Sequence, residues 1–96
     1  MANTPTEASV VSAILKHLNS RPDTYARKTT GTTRSRGWPD IVGCHRGRFL
    51  ALEVKRPGGS YGATPLQAAE LTKWARAGAI AGVVTSVEET IEALKR

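Results

Sequence analysis

Three residues of this 96-residue chain combine types and spacing suited to phosphate chemistry: Asp40, Glu53 and Lys55. The segments 41–44 and 49–54 are rich in β-branched and aromatic residues and are separated by a short polar stretch containing Arg46-Gly47, which predicts a β-hairpin. A two-residue loop pairs His45 with Arg48. Counting outward then sets Asp40 across from Glu53, on one face, with Cβ atoms about 4.5–5.5 Å apart. Opposed carboxylates repel, and a divalent cation offsets the repulsion. Mg²⁺ prefers hard oxygen ligands and takes one or two carboxylates together with waters and phosphate oxygens. Strand side chains alternate, so Lys55 joins Glu53 on the same face and sets its ammonium beside the carboxylates. Val54 points away, and its carbonyl is left as a further ligand.

Several elements must hold this group. Thr4-Pro5-Thr6-Glu7 reads as a helix start, with Thr4 as N-cap, Pro5 at the first helical position and Glu7 closing a capping box. Val10, Val11, Ile14, Leu15 and Leu18 then repeat at helical spacing to about residue 18, where Asn19-Ser20-Arg21-Pro22-Asp23 supplies breakers. A short strand is expected over 25–29, and 30–37, which has no apolar residue, reads as a basic loop and a candidate substrate contact. Both faces of 49–54 carry apolar residues, so helices are expected on both sides of that strand. Thr64-Pro65-Leu66-Gln67 repeats the capped-helix pattern and opens a second helix to about residue 76, with Gly78 as its C-terminal stop. A buried strand over 80–85 and a last helix capped by Ser86 complete an αβββαβα order in a single α/β domain, 1–96.

The formal charge is +6, and residues 21–56 alone hold nine basic side chains against three acidic ones. The basic excess therefore lies in one third of the chain, as expected of a surface facing a polyanion. Lys28, Arg34, Arg36 and Arg56 are the candidate phosphate contacts. A solvated basic surface with no partner is the plainer alternative. One cysteine, Cys44, excludes an intrachain disulfide, and no Cys/His cluster has zinc-site spacing. The N-terminal residues have neither a basic nor an apolar leader region, and no stretch is apolar enough for a membrane span, so a cytoplasmic protein is expected. Cys44 and Trp74 are expected in the core, and His17 and His45 at the surface. Trp38 either packs or stacks on a base.

Gly37-Trp38-Pro39-Asp40 followed by Glu53-Val54-Lys55 resembles the PD-(D/E)xK nuclease signature. More narrowly, Gly-x-Pro-Asp, the Glu-Val-Lys-Arg-Pro-Gly-Gly run and the later Thr-Pro-Leu-Gln resemble the virus-type replication-repair nuclease (VRR-NUC) domain. The resemblance spans nearly the whole chain and implies a restriction-endonuclease-like core, a mixed sheet flanked by helices. It implies that Asp40, Glu53 and the Val54 carbonyl bind Mg²⁺, with Mn²⁺ substituting, and that Lys55 orients or deprotonates the attacking water. It also matches Glu7 to an acidic residue of the first helix and Gln67 to a glutamine of the second, although capping alone accounts for both.

The activity implied is structure-selective DNA cleavage, resolving Holliday junctions as a homodimer, without an organic cofactor or a membrane. Flap- or nick-directed cleavage and a non-catalytic nucleic-acid-binding module are the alternatives. The resemblance further suggests a viral or mobile-element origin, in a bacterial or phage-infected cell.

Overall fold

The computed structural model describes residues 5–29, 37–58 and 62–96. Seven elements follow in the order α1 (Glu7–Asn19), β1 (Thr24–Lys28), β2 (Ile41–His45), β3 (Arg48–Val54), α2 (Pro65–Arg76), β4 (Ile80–Val84) and α3 (Val87–Ala93). The four strands form one sheet in the order β1-β2-β3-β4, antiparallel through β3 and parallel between β3 and β4. This is the expected αβββαβα arrangement. The parallel pair requires a crossover, and α2 supplies it.

The hairpin register is set by its turn. Arg46 and Gly47 both adopt positive φ, 51° and 83°. Positive φ at both central positions is the condition for the two-residue turn whose twist matches the flanking strands. His45 accordingly pairs with Arg48 and Ile41 with Leu52. Behind β2, β1 approaches so closely that a Cβ on Gly43 would sit 2.3 Å from the Tyr25 carbonyl oxygen. Only glycine fits there.

Alternation divides β3 between two environments. Leu50, Leu52 and Val54 join Val10, Val11, Ile14 and Leu18 of α1, together with Ala93 and Leu94 at the end of α3, in one buried cluster. Phe49 faces the other way, with its ring 4.6 Å from that of Trp74 on α2. Trp74 also meets Trp38 edge-on at 6.1 Å. Helices thus flank β3 on both sides, as its doubly apolar sequence predicts. Among the described residues, α2 packs chiefly on β3 and β4, and Tyr25 and Cys44, paired across β1 and β2, stay exposed.

Two helix starts follow the capped pattern differently. Thr64 and Gln67 form the expected capping box, with Pro65 in the first turn. In α1 the N-cap is Thr6, not Thr4. The Thr6 hydroxyl accepts from the Ser9 N–H at 3.1 Å and the Ser9 hydroxyl donates to the Thr6 carbonyl at 2.8 Å. A start two residues earlier would forgo this pair of bonds, and the Thr6 cap leaves Glu7 at the first helical position with no capping duty. Cys44 and His45 also exchange their expected places: Cys44 is exposed, while His45 is buried and shares a 2.7 Å hydrogen bond with the Thr24 hydroxyl.

Candidate active site

The last bonds of the sheet hold Asp40 in position. The Thr29 N–H donates to the Asp40 carbonyl at 2.9 Å, and the Thr29 hydroxyl donates to the carbonyl of buried Pro39 at 2.8 Å. Asp40 thereby extends the ladder by one step beyond Ile41–Leu52, opposite Glu53. Its side chain reaches one residue further, where Oδ2 accepts from the Val54 N–H at 2.9 Å. One carboxylate oxygen is thus tied to the main chain of β3, which fixes the aspartate without a flexible partner.

Glu53 is 2% exposed, an unusual degree of burial for a glutamate. Its Oε2 accepts from Gln67 Nε2 at 2.6 Å and lies 3.4 Å from Lys55 Nζ. Its Oε1 is buried without a hydrogen-bond partner among the described residues. Burial, and then the charge of Asp40, push the Glu53 carboxyl up to about 7, against the pull of Lys55 in the opposite direction. Two carboxyl groups thus share the neighbourhood of the Lys55 ammonium.

Gln67 carries out both of the roles open to it in the sequence. Its Oε1 accepts from the Thr64 N–H at 2.9 Å, closing the capping box, while its Nε2 donates to Glu53. The two ends of the amide differ chemically, so the N–H of the cap and the carboxylate of the site together dictate its orientation. The first turn of α2 is locked to the end of β3.

Asp40, Glu53, Val54, Lys55 and Gln67 are brought together in this way. Glu7 is not: it is exposed in the first turn of α1, a helix that packs against the opposite face of the sheet. No group of three or more His, Cys, Asp and Glu side chains that could hold a metal occurs among the described residues. Arg34 and Arg36, with most of the expected basic loop, lie outside the described residues, and Arg56 is exposed just beyond Lys55. Lys28 pairs with Ile41 and shares the parity of buried Ala26, so it belongs to the α1 face. Its neighbour Arg27, which sequence reasoning passed over, pairs with Val42 and shares the face of Asp40 and Glu53. Strand parity across the β1–β2 pairing is the signal that identifies it.

The donor set suits a hard divalent cation. Two carboxyl groups with fixed backbones converge, and among the described residues no donor meets the buried Glu53 Oε1, the kind of oxygen that a bound ion satisfies. A mixed four-stranded sheet with this element order and a carboxylate pair at its end defines an α/β architecture. Comparison with solved structures narrows that class. A VRR_NUC domain superposes with a TM-score of 0.73 at 24% identity, over 95% of this chain and 96% of the other. A VRR_NUC domain protein superposes with a TM-score of 0.75 at 19% identity, over 98% of this chain and 88% of the other. The fold is that of the VRR_NUC domain. No protein-family model and no curated protein matches the sequence.

Proposed function

We propose that this chain is a metal-dependent DNA nuclease that hydrolyses phosphodiester bonds at the Asp40–Glu53 pair. The observation that supports this most is the buried, unpartnered Oε1 of Glu53 beside a second carboxylate, a costly arrangement unless a cation completes it. Asp40, Glu53 and the Val54 carbonyl hold Mg²⁺ or Mn²⁺, and Gln67 keeps the Glu53 carboxylate oriented. The bound ion supplies Lewis acidity toward the phosphate and acidifies the attacking water. Lys55 orients that water and neutralises charge gathering on the phosphate. Arg27 and Arg56 hold neighbouring phosphates.

Within this reading, a structure-selective endonuclease acting on four-way junctions as a homodimer is the finer proposal, since a symmetric junction needs two active sites. The test is cleavage of four-way, flap, nicked and linear DNAs with Mg²⁺ or Mn²⁺, for wild type, Asp40→Asn and wild type with chelator. Cleavage by the metal-loaded wild type alone supports the proposal. Binding without cutting, or an Asp40→Asn variant that cuts equally well, refutes it. A chain that resolves junctions fully while its mass in solution stays monomeric removes the dimer.

A further inference from the structure

The hairpin end of the sheet carries a second concentration of positive charge. A cavity of about 400 Å³ opens there, walled by Arg21, His45, Arg46, Arg48, Lys95 and Arg96. Its apolar lining is Ile80, Ile91 and Leu94. Arg48 is five residues before Glu53 on β3, roughly 17 Å at a strand's rise of about 3.3 Å per residue. The cavity is therefore separate from the carboxylate pair.

Local bonds hold these cations in place. Arg48 donates to the carbonyl oxygen of Gly78 and to the main-chain oxygen of Arg96, the last residue of the chain, and Arg96 donates to the carbonyl of Ala81 at 3.0 Å. The Gly78 and Ala81 acceptors fix a guanidinium while leaving its charge in place. Arg46 pairs with Asp23 at 2.8 Å, and Lys95 with Glu92 at 2.7 Å. Asp23 is shared, lying also 3.7 Å from Arg21 Nε. That Nε is buried and, beyond this ion pair, makes no hydrogen bond among the described residues. Arg21, Arg46, Arg48, Lys95 and Arg96 thus outnumber Asp23 and Glu92, their side-chain acid partners among the described residues.

We infer that this cavity binds the phosphate of a nucleotide unit, with the nucleoside at its apolar edge beside Ile91. A phosphate supplies several acceptors to guanidiniums already held in place, so little ordering cost is left to binding. The volume falls within the range of small-ligand sites and exceeds what bare phosphate needs. The unit belongs either to a nucleic-acid strand or to a free nucleotide, and the inference does not depend on cleavage at the distant carboxylates.

The test uses the full chain carrying Asp40→Asn, so that cleavage plays no part, and follows amide NMR shifts during titration with dAMP, inorganic phosphate and adenosine. Shifts centred on Arg21, His45, Arg46 and Lys95 are expected with dAMP, weaker ones with inorganic phosphate, and none there with adenosine. Arg46→Asn, which retains a residue tolerant of positive φ, and Lys95→Gln should each weaken dAMP binding about tenfold, the scale of a lost charge-assisted hydrogen bond. Unchanged α2 resonances show that the fold is intact. Binding of a DNA oligonucleotide across a salt series separates the sources. If the unit is in DNA, the double variant flattens the slope of log K against log salt by about 0.9 per lost phosphate contact. If it is a free nucleotide, the DNA slope is unchanged while the dAMP response is lost. Shifts at the Asp40 end only, no shifts at all, or shifts that survive both substitutions overturn the inference.

Discussion

At the scale of single residues, the Glu53 carboxyl carries the most information. Enclosed by β3 and α2 and faced by Asp40, it holds its proton up to about 7, whereas an ordinary glutamate releases it near 4.5. Between those values the folded chain binds a proton that the unfolded chain has lost, so stability falls as pH rises from about 4.5 to 7 and is level above that. Metal-free protein should therefore show a falling melting temperature through this window. Glu53→Gln should flatten the curve and exceed wild type at pH 8 by on the order of 2 kcal/mol, as thermal melts across the pH series will show. Added Mg²⁺ should reverse the order. At a hundredfold excess over its dissociation constant it stabilises wild type by about 2.7 kcal/mol, and the variant by much less. Gln67 allows a sharper separation, because its two amide ends serve different partners. Gln67→Glu keeps an acceptor for Thr64 but adds a third carboxylate to the Asp40–Glu53 pair. Cleavage should drop at least about tenfold while helix content by circular dichroism is unchanged. Gln67→Ala should additionally lose about 1 kcal/mol of stability through the broken cap.

Among the elements, the β2–β3 hairpin determines whether the site exists at all. Arg46-Gly47 fixes its register, and a slip of one residue would turn Glu53 to the α1 side. Gly47→Ala, at φ 83°, should cost about 1 kcal/mol in chemical denaturation with activity retained. Gly43→Ala drives a methyl into β1 backbone and should cost more, on the order of 3 kcal/mol, with loss of native spectra at moderate temperature. Equal effects of the two would mean that β1 is not tightly seated. The hairpin was legible from sequence because a two-residue polar loop between β-rich runs permits one register. The Thr64–Gln67 box was legible because proline and both box residues coincide. The start of α1 was not, since Thr4 and Thr6 are both suitable caps and only the Ser9 bonds decide between them. Cys44 and His45 were misplaced for a tertiary reason. Alternation assigns residues to faces, but it does not reveal that α2 stops short of β1 and β2, leaving one face open at Cys44 while His45 turns inward to Thr24. The Gln67–Glu53 bond joins two distant segments, and no local pattern distinguishes it from capping alone.

At the scale of the whole molecule, the basic excess of residues 21–56 resolves into places rather than a uniform coat. Arg21, Arg46 and Arg48 gather at the hairpin end, Lys55 and Arg56 follow the carboxylates, and Arg27 and Lys28 lie on opposite faces of β1 between them. Sequence composition treats Arg27 and Lys28 as equivalent, yet the sheet does not. Arg27 stands one cross-strand row from Thr29, Asp40 and Glu53, on the face that α2 leaves uncovered and where Tyr25 is 62% exposed. Lys28 stands over the side occupied by α1. A DNA strand reaching the carboxylates along the open face meets Arg27 and misses Lys28. Fluorescence anisotropy with the Asp40→Asn protein between 50 and 200 mM salt distinguishes the two. Arg27→Gln should weaken binding and reduce the salt slope by about 0.9, one phosphate contact, while Lys28→Gln leaves both nearly unchanged. The reverse result would take the strand over the α1 face, where neither Asp40 nor Glu53 could reach it, and the proposed approach to the active site would fall with it.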